Sequence, residues 1–318
     1  MSTMKAIQIH TYNEPYNVHN DIPIPSPKPH QVLIRIKAAG FCHTDLMAMN
    51  GEFGTKLPFI GVCGKYPDCK AGLPIYCDAP LMKGITTNGA WAKYMVADAR
   101  FMVKLPDDMD FKIAAPLTCA GISIYGGIVR AEVPKGGSIG IVGIGGLGHI
   151  GTQVAKCMGY KVAAIDIKQP ALDCVASYAQ KPDALILSSD PVETSLSKIN
   201  TITSNEYGYQ GLDATVLATD HSAAFETGAA LTRKYGTMVL LGQPEKGITM
   251  SYLTTIYKDI RLVGSLVADT QQAEELVSLV HENGLHVDVK EWKMEEAEEM
   301  RQAYLNGTTS GKNVIVID

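Results

Sequence analysis

The sequence lacks the features that mark several classes of protein. It has no excess of positive charge: the chain contains 28 Lys and Arg residues and 33 Asp and Glu residues, which gives a net charge of −5. A basic surface for a phosphate backbone, and hence a nucleic-acid partner, is therefore not expected. The chain has no run of about 18 consecutive apolar residues, which predicts no membrane partner and no membrane span. Its first twenty residues contain no apolar stretch of the signal-peptide type, so we expect a cytoplasmic location.

What the chain does have is the composition of a packed protein long enough for two domains. It has 318 residues, of which 46% are hydrophobic and 19% charged. The first ~120 residues contain strand-like runs such as "QVLIRIKAAG" and "GAWAKYMVA", which indicate a β-rich domain. From about Ser138 strand-like and helical runs alternate, as in "SIGIVGI", "GGLGHIGTQVAKCMG" and "KVAAIDI". This alternation predicts a parallel sheet with helices on both faces.

A glycine-rich segment, "GIVGIGGLGHIG", lies between the first strand and the first helix of that alternation. Gly143, Gly145 and Gly148 have the G-x-G-x-x-G spacing. The first glycine permits a tight turn, the second lets the backbone approach a pyrophosphate, and the third lets helix and strand pack closely. In this context the motif predicts a dinucleotide-binding site.

The next strand ends at Asp166, 18 positions after Gly148. A carboxylate at this place can accept hydrogen bonds from the hydroxyl groups of an adenosine ribose. It would repel a 2′-phosphate, so the sequence predicts NAD rather than NADP, although Lys168 lies nearby.

Cysteine is the residue type with the most informative distribution. Four of the seven cysteines, Cys42, Cys63, Cys69 and Cys77, fall in the first 80 residues. In a reducing compartment such residues are thiolate metal ligands or reduced core residues more often than disulfides. Cys157 and Cys174 lie in apparent helices of the second half and are interpreted as core residues.

These motifs together resemble the zinc-dependent alcohol dehydrogenases of the medium-chain dehydrogenase/reductase superfamily, most of all the yeast type. The matching stretches are "AAGFCHTDLMAMNGEF", "CKAGLPIYC", "AAPLTCAGISIYGG", "VGIGGLGHIGTQVAKCMGYKVAAID", "GSLVADT" and "GKNVIVID". The resemblance implies an α/β fold, a Rossmann doubly wound parallel sheet plus a truncated GroES-like β-rich domain. The implied domains are residues 1–124 (GroES-like), 125–267 (NAD-binding) and 268–318, a segment that completes the first domain.

The resemblance also assigns site residues. Cys42 and Cys119 match two ligands of the catalytic zinc, Thr44 matches the hydroxyl that relays the alcohol proton, and Asp45 matches a carboxylate behind the metal. The residues expected to contact NAD are His43, Gly143, Gly145, Gly146, Leu147, Gly148, Asp166, Lys168, Val267 and Lys312. Lys312 stands where the yeast-type enzymes usually have arginine, so it keeps the charge but loses the bidentate fork.

The chain departs from the family pattern at the catalytic zinc. A segment of ~30 residues, which begins with the Gly-His-Glu motif that carries the third zinc ligand, is absent after Ile60. Met47 occupies the place of the relay histidine. We therefore expect an internal deletion, and zinc is a possible but doubtful cofactor.

The second, structural zinc site departs from the pattern as well. Tyr66 replaces one of its four cysteines, and Cys63, Cys69 and Cys77 remain. Closed structural zinc sites need four ligands. Cys63 also lies 21 residues after Cys42, close to the family spacing of the missing histidine. One hypothesis is therefore that Cys63 joins Cys42 and Cys119 as a third metal ligand.

The function that follows is an NAD-dependent oxidoreductase that transfers hydride between alcohol and carbonyl compounds. Two alternatives stay open. One is a zinc-free relative that reduces double bonds or catalyses a redox-neutral cyclisation or isomerisation. The other is a non-catalytic NAD(H)-binding remnant. The expected partners are a small-molecule substrate and, from the resemblance, further copies of the chain in a homo-oligomer.

Overall fold

The computed structural model of the chain describes residues 2–52, 67–70, 74–76, 83–84, 87–204 and 207–318. The strands are β1 (Thr3–Gln8), β2 (Asn17–Pro23), β3 (Gln31–Arg35), β4 (Ala38–Phe41), β5 (Tyr94–Asp98), β6 (Ser138–Val142), β7 (Lys161–Asp166), β8 (Ala184–Leu187), β9 (Leu212–Leu217), β10 (Thr232–Leu240), β11 (Arg261–Gly264), β12 (Val289–Trp292) and β13 (Lys312–Val316). The helices are α1 (His43–Met49), α2 (Pro67–Lys70), α3 (Phe111–Pro116), α4 (Ile122–Arg130), α5 (Gly148–Cys157), α6 (Gln169–Ala176), α7 (Val192–Asn200), α8 (Ala223–Leu231), α9 (Tyr252–Thr255), α10 (Thr270–Glu282) and α11 (Ala297–Leu305).

The chain divides into two compact units. Unit 1 consists of Met1–Cys119 and Asp288–Asp318, and unit 2 of Ala120–Val287. The sequence predicted boundaries at 124/125 and 267/268, so the second boundary lies 20 residues later than expected. The reason is helix α10, which packs against α4 and α5 and so belongs to unit 2.

Unit 2 is built on a six-stranded parallel sheet with the order β11-β10-β9-β6-β7-β8. All five residues of β6 are buried, as expected for a strand covered on both faces. From β6 the chain first builds the β7–β8 side of the sheet and then crosses to the β9–β11 side. The carboxyl end of β6 is therefore the topological switch point, where such sheets bind their ligands. The predicted Rossmann fold is confirmed.

Unit 1 is rich in short strands. It contains the pairs β1-β2 and β3-β5 and the three-stranded sheet β12-β13-β4. Phe41, Trp292, Met300 and Ile315 are among the buried residues of its core. In the antiparallel β13–β4 pair, Asn313 lies opposite Phe41, which brings the start of β13 next to the residues that follow β4. This confirms the β-rich first domain and positions its polar cluster.

One helical run in the described part of the chain, Phe111–Arg130, is long and apolar enough to cross a membrane by length and composition alone. Of that run's most apolar window, 61% is buried within the protein, and Ile124 and Ile128 are completely buried. Such burial is what a core helix shows, so the run is weak evidence for a membrane span.

The interpretation of Cys174 as a core residue is wrong. Cys174 is exposed, whereas Leu172 and Val175 on the same helix are buried. Helix α6 turns these two apolar positions inward, and Cys174 lies between them on the outer face.

Candidate active site

The glycine-rich loop follows β6 at the switch point of unit 2. Gly143 has φ +92°, and a Cβ there would lie 2.7 Å from the Thr219 Cβ. A Cβ on Gly148 would lie 2.0 Å from the carbonyl oxygen of Gly143, so only glycine allows the start of α5 to pack on the turn. A Cβ on Gly145 would meet no atom within 4 Å. The loop backbone is therefore open to a ligand at the second glycine, and the positions fit the predicted roles.

Asp166, at the end of β7, is tied to the same loop. Its Oδ2 accepts a hydrogen bond from the Ile144 N–H at 2.6 Å, and its Oδ1 accepts one from the Lys168 N–H at 2.8 Å. A carboxylate offers about four lone-pair positions, so it can still accept from ribose hydroxyl groups. Sequence reasoning gave Asp166 only the ribose role. The G-x-G-x-x-G spacing contains no signal for a brace between the two strand ends.

His149 also holds this loop and was missed by sequence reasoning. It is 3% exposed, and its Nδ1 lies 2.9 Å from the carbonyl oxygen of Gly145. Its ring therefore lies beneath the second glycine of the motif. Its sequence signal is weak: a histidine directly after the third glycine is an unusual choice for an apolar helix face.

The other predicted cofactor residues of unit 2 lie near the same end of the sheet. Gly146 and Leu147 complete the loop before α5, and Lys168 precedes α6. Val267 follows β11 and its backbone lies close to Gly126, where a Cβ would be 3.1 Å from the Val267 carbonyl carbon. Their contacts with NAD stay a prediction.

In unit 1 the predicted metal ligands come together. Cys42 is the residue before α1, Cys119 follows α3, and their side chains are hydrogen-bonded to each other. The Thr44 side chain also hydrogen-bonds to Cys42. Lys312, at the start of β13, is 7% exposed, and its charge acts on both thiols. Residues that are far apart in sequence thus form one polar cluster, which we call the thiol cluster: Cys42, Thr44, Asp45, Cys119 and Lys312.

The pKa values of the two thiols shift in opposite directions. The hydrogen bond to Cys119, together with burial, raises the pKa of Cys42 well above its usual range. The same hydrogen bond lowers the pKa of Cys119 to about 7, and the positive charge of Lys312 contributes. Of the two thiols, Cys119 therefore loses its proton more readily. The two opposite shifts belong to the pair as a unit.

Asp45 lies at the start of α1, behind the thiols. Its Oδ2 accepts a hydrogen bond from the Cys42 backbone N–H at 2.8 Å. Burial and the nearby Cys42 raise the pKa of the Asp45 carboxyl well above its usual range. The carboxyl thus caps the first turn of the helix that carries Thr44 and His43. His43 itself is exposed, with its Nδ1 3.5 Å from the Tyr304 hydroxyl.

The thiol cluster can be tested against the needs of a catalytic zinc ion. Such an ion takes three protein ligands and leaves one position open. In the part of the chain that the structure describes, no three His, Cys, Asp or Glu side chains lie close enough to hold a metal ion. Cys63, the hypothetical third ligand, lies outside the described residues, as do Tyr66 and Cys77 of the damaged cysteine site. The described residues alone therefore do not fit a catalytic zinc ion.

Comparison with known proteins agrees with this picture. Residues 146–282 match the zinc-binding dehydrogenase family, and residues 28–64 match the alcohol dehydrogenase GroES-like domain. An alcohol dehydrogenase of Rhizobium meliloti (strain 1021) is 30% identical over 346 residues, which cover 98% of each chain. Among solved structures, acetophenone reductase from Geotrichum candidum in complex with NAD has a TM-score of 0.78 at 20% identity, covering 100% of this chain and 98% of the other. CAD from Helicobacter pylori complexed with NADP(H) has a TM-score of 0.77 at 18% identity, covering 99% and 98%.

The chain combines a GroES-like domain with a parallel sheet that has a glycine-rich loop at its switch point. This combination defines a dehydrogenase of the medium-chain class. Within that class, the chain belongs to the zinc-type alcohol dehydrogenase family. It is an oxidoreductase of this type.

Proposed function

We propose that the chain transfers hydride between a small alcohol and its carbonyl compound with NAD(H) as the redox partner. The observation that carries this proposal is the loop after β6. There the backbone is open at Gly145, tightly packed at Gly143 and Gly148, and braced by Asp166. Bound NAD would supply the hydride acceptor. The chain's residues would bind and orient it, with the N-terminus of α5 favouring the negative pyrophosphate.

The choice of NAD over NADP rests on Asp166. Neighbours with this fold have been solved with either nucleotide, so the fold alone does not select one. The carboxylate favours two ribose hydroxyl groups and disfavours the charge of a 2′-phosphate.

Fluorescence titration tests this choice. NADH should bind the unmodified protein more tightly than NADPH, and Asp166→Ala should reduce this difference in affinity between the two nucleotides. Asp173→Ala, an exposed carboxylate on α6, is the matched control and should leave the difference unchanged. Preference of the unmodified protein for NADPH would show that the role given to Asp166 is wrong.

The substrate would be handled in the thiol cluster of unit 1. The Thr44 hydroxyl is the proposed group that takes the proton from the alcohol, supported by its hydrogen bond to Cys42, which fixes its position. Lys312 and His43 are the proposed pyrophosphate contacts of this unit. We also propose that Cys63 acts as a third metal ligand. Measuring the zinc content of the purified variants tests this proposal: Cys63→Ser should lose the zinc of the unmodified protein, and Cys69→Ser should keep it.

An internal deletion is part of the proposal. The alignment with the Rhizobium enzyme extends over 346 positions, whereas this chain has 318 residues, so at least 28 positions have no counterpart here. That difference supports a shortened chain of the kind expected from the missing Gly-His-Glu segment.

A second candidate, zinc-free reduction of an activated double bond, is favoured by the lack of a third metal ligand in the described part of the chain. One experiment separates the two functions. Metal content is measured first, and the protein is then assayed with alcohols plus NAD and with conjugated enones plus NADH. Zinc near one per chain with alcohol oxidation supports the first function, whereas enone reduction without metal supports the second.

We also propose that the protein forms a homo-oligomer and that it is located in the cytoplasm. Leu262 on β11, the edge strand of the unit 2 sheet, is 44% exposed, which supports an interface between copies. Light scattering on the protein as it elutes from a size-exclusion column measures its mass, and a mass of one chain would contradict the homo-oligomer.

A further inference from the structure

A pair of histidines stands apart from the nucleotide loop and the thiol cluster. His10 and His19 lie on the β1–β2 hairpin of unit 1, and their Nε2 atoms are 2.9 Å apart. Their ring centroids are 4.8 Å apart with an interplanar angle of 73°. We infer that this pair is a chelating site for a divalent transition-metal ion of the Ni²⁺ or Cu²⁺ type.

The distance between the two nitrogens, which is that of a hydrogen bond, is also short enough for one ion to bind both. Imidazole nitrogens bind first-row metal ions at about 2.0–2.1 Å. Two such ligands at a right angle would then lie about 2.9 Å apart, and at the tetrahedral angle about 3.3–3.4 Å apart, given the same bond lengths. The observed 2.9 Å matches the right angle. Right-angled nitrogen ligands are typical of tetragonal Cu²⁺ and Ni²⁺, which also bind nitrogen most tightly in the divalent series.

The backbone, and not the contact between the two rings, holds the histidines together. His19 is part of β2 and lies opposite Ala6, while His10 follows Gln8, the last residue of β1, by two positions. The connection between the strands is fixed at Asn13, whose N–H donates to the Met49 carbonyl at 3.0 Å. It is fixed again at Tyr16, which is buried and whose N–H donates to a Glu298 carboxylate oxygen at 3.3 Å. A site held in this way needs little ordering when an ion binds.

Without a metal ion the two rings share a proton, since one Nε2–H must donate to the other Nε2 at this distance. On metal binding that proton would move through solvent to Nδ1 of the same ring, and each Nε2 would then donate its lone pair to the ion. In the described residues no third His, Cys, Asp or Glu completes the set, so solvent would supply the other ligands. His10 is exposed, which leaves those positions accessible.

Titration of the untagged full chain with NiCl₂ by calorimetry tests the site. We expect a Ni²⁺ site that is weakened at least about tenfold by His10→Asn and by His19→Asn, because each variant removes one of two ligands. His221→Asn, a histidine of unit 2, is the matched control and should bind Ni²⁺ as the unmodified protein does.

A thermal scan provides a second readout. A metal ion that joins residues 10 and 19 closes the loop between them, so Ni²⁺ should raise the melting temperature of the unmodified protein but not that of His10→Asn. The proposal is overturned if Ni²⁺ binds both histidine variants as tightly as the unmodified protein. Equal melting temperatures of the unmodified protein with and without saturating Ni²⁺ would also overturn it.

Discussion

Two glycines of the loop after β6, Gly145 and Gly148, should respond to the same substitution in opposite ways. At Gly145 an alanine Cβ would meet no atom within 4 Å, and the φ of Gly145 is not positive. Gly145→Ala should therefore leave stability unchanged or raise it by about 0.4–1 kcal/mol, because the unfolded chain loses freedom. At Gly148 the Cβ would lie 2.0 Å from a backbone oxygen. Gly148→Ala should cost about 1–3 kcal/mol or more of folding stability.

Binding of the nucleotide should separate the two variants further. The alanine methyl group at 145 projects into the space through which a pyrophosphate would approach the loop. Loss of one hydrogen bond to a charged group costs about 1.5–3 kcal/mol, which corresponds to a tenfold to more than hundredfold weaker complex.

Urea unfolding and NADH fluorescence titration measure the two effects. We expect a well-folded Gly145→Ala protein with poor NADH binding, and a destabilised Gly148→Ala protein. A Gly145→Ala variant that binds NADH as tightly as the unmodified protein would show that the loop does not hold the phosphates.

Three further predictions concern stability. The pKa of Asp183 is lowered, since hydrogen bonds from Lys156 and from a backbone N–H outweigh the burial that would raise it. Asp183→Asn should therefore cost about 1–3 kcal/mol at pH 7 in urea unfolding. The difference should shrink as the pH falls below the ordinary aspartate pKa of about 3.9, and it should vanish once the pH is below the lowered pKa of Asp183. Met300 of α11 is completely buried, so Met300→Ala should lower the free energy of unfolding by about 2–5 kcal/mol. Leu305 on the same helix is 49% exposed, so Leu305→Ala should change that free energy by no more than about 0.5 kcal/mol. Equal losses in the two variants would contradict the placement of the core. Lys258→Met should lower stability by about 1.5–3 kcal/mol because the Lys258 ammonium group donates to three backbone carbonyls at the end of α8, and an unchanged melting curve would refute that role.

The fold of unit 2 could be predicted because its signals are local. Apolar strands alternate with helices, and the glycines that the turn requires stand directly after β6. The boundary at 287/288 could not be read in this way, since the helical pattern of α10 shows that it has an apolar face but not which unit covers that face.

The candidate site was predictable in a different way. No spacing rule joins Cys42 to Cys119, and only the resemblance to a family placed them together before the structure showed their contact. The pair of His10 and His19 had no sequence signal, because the hydrogen-bonded register of a hairpin and the turn that follows it decide which side chains meet. Cys63 lies outside the described residues, so its role as a metal ligand remains a prediction.

The double attachment of Asp166 has a consequence for changing the coenzyme. Its carboxylate accepts a hydrogen bond from the Ile144 N–H and is also the proposed partner of the ribose, so the group that would select NAD is part of the loop's own structure. A redesign toward NADP that simply deletes this charge would also leave a backbone donor of the phosphate loop without its acceptor. A successful redesign must therefore supply a neutral acceptor for that N–H, such as the amide oxygen of asparagine, before it adds a positive charge for the extra phosphate.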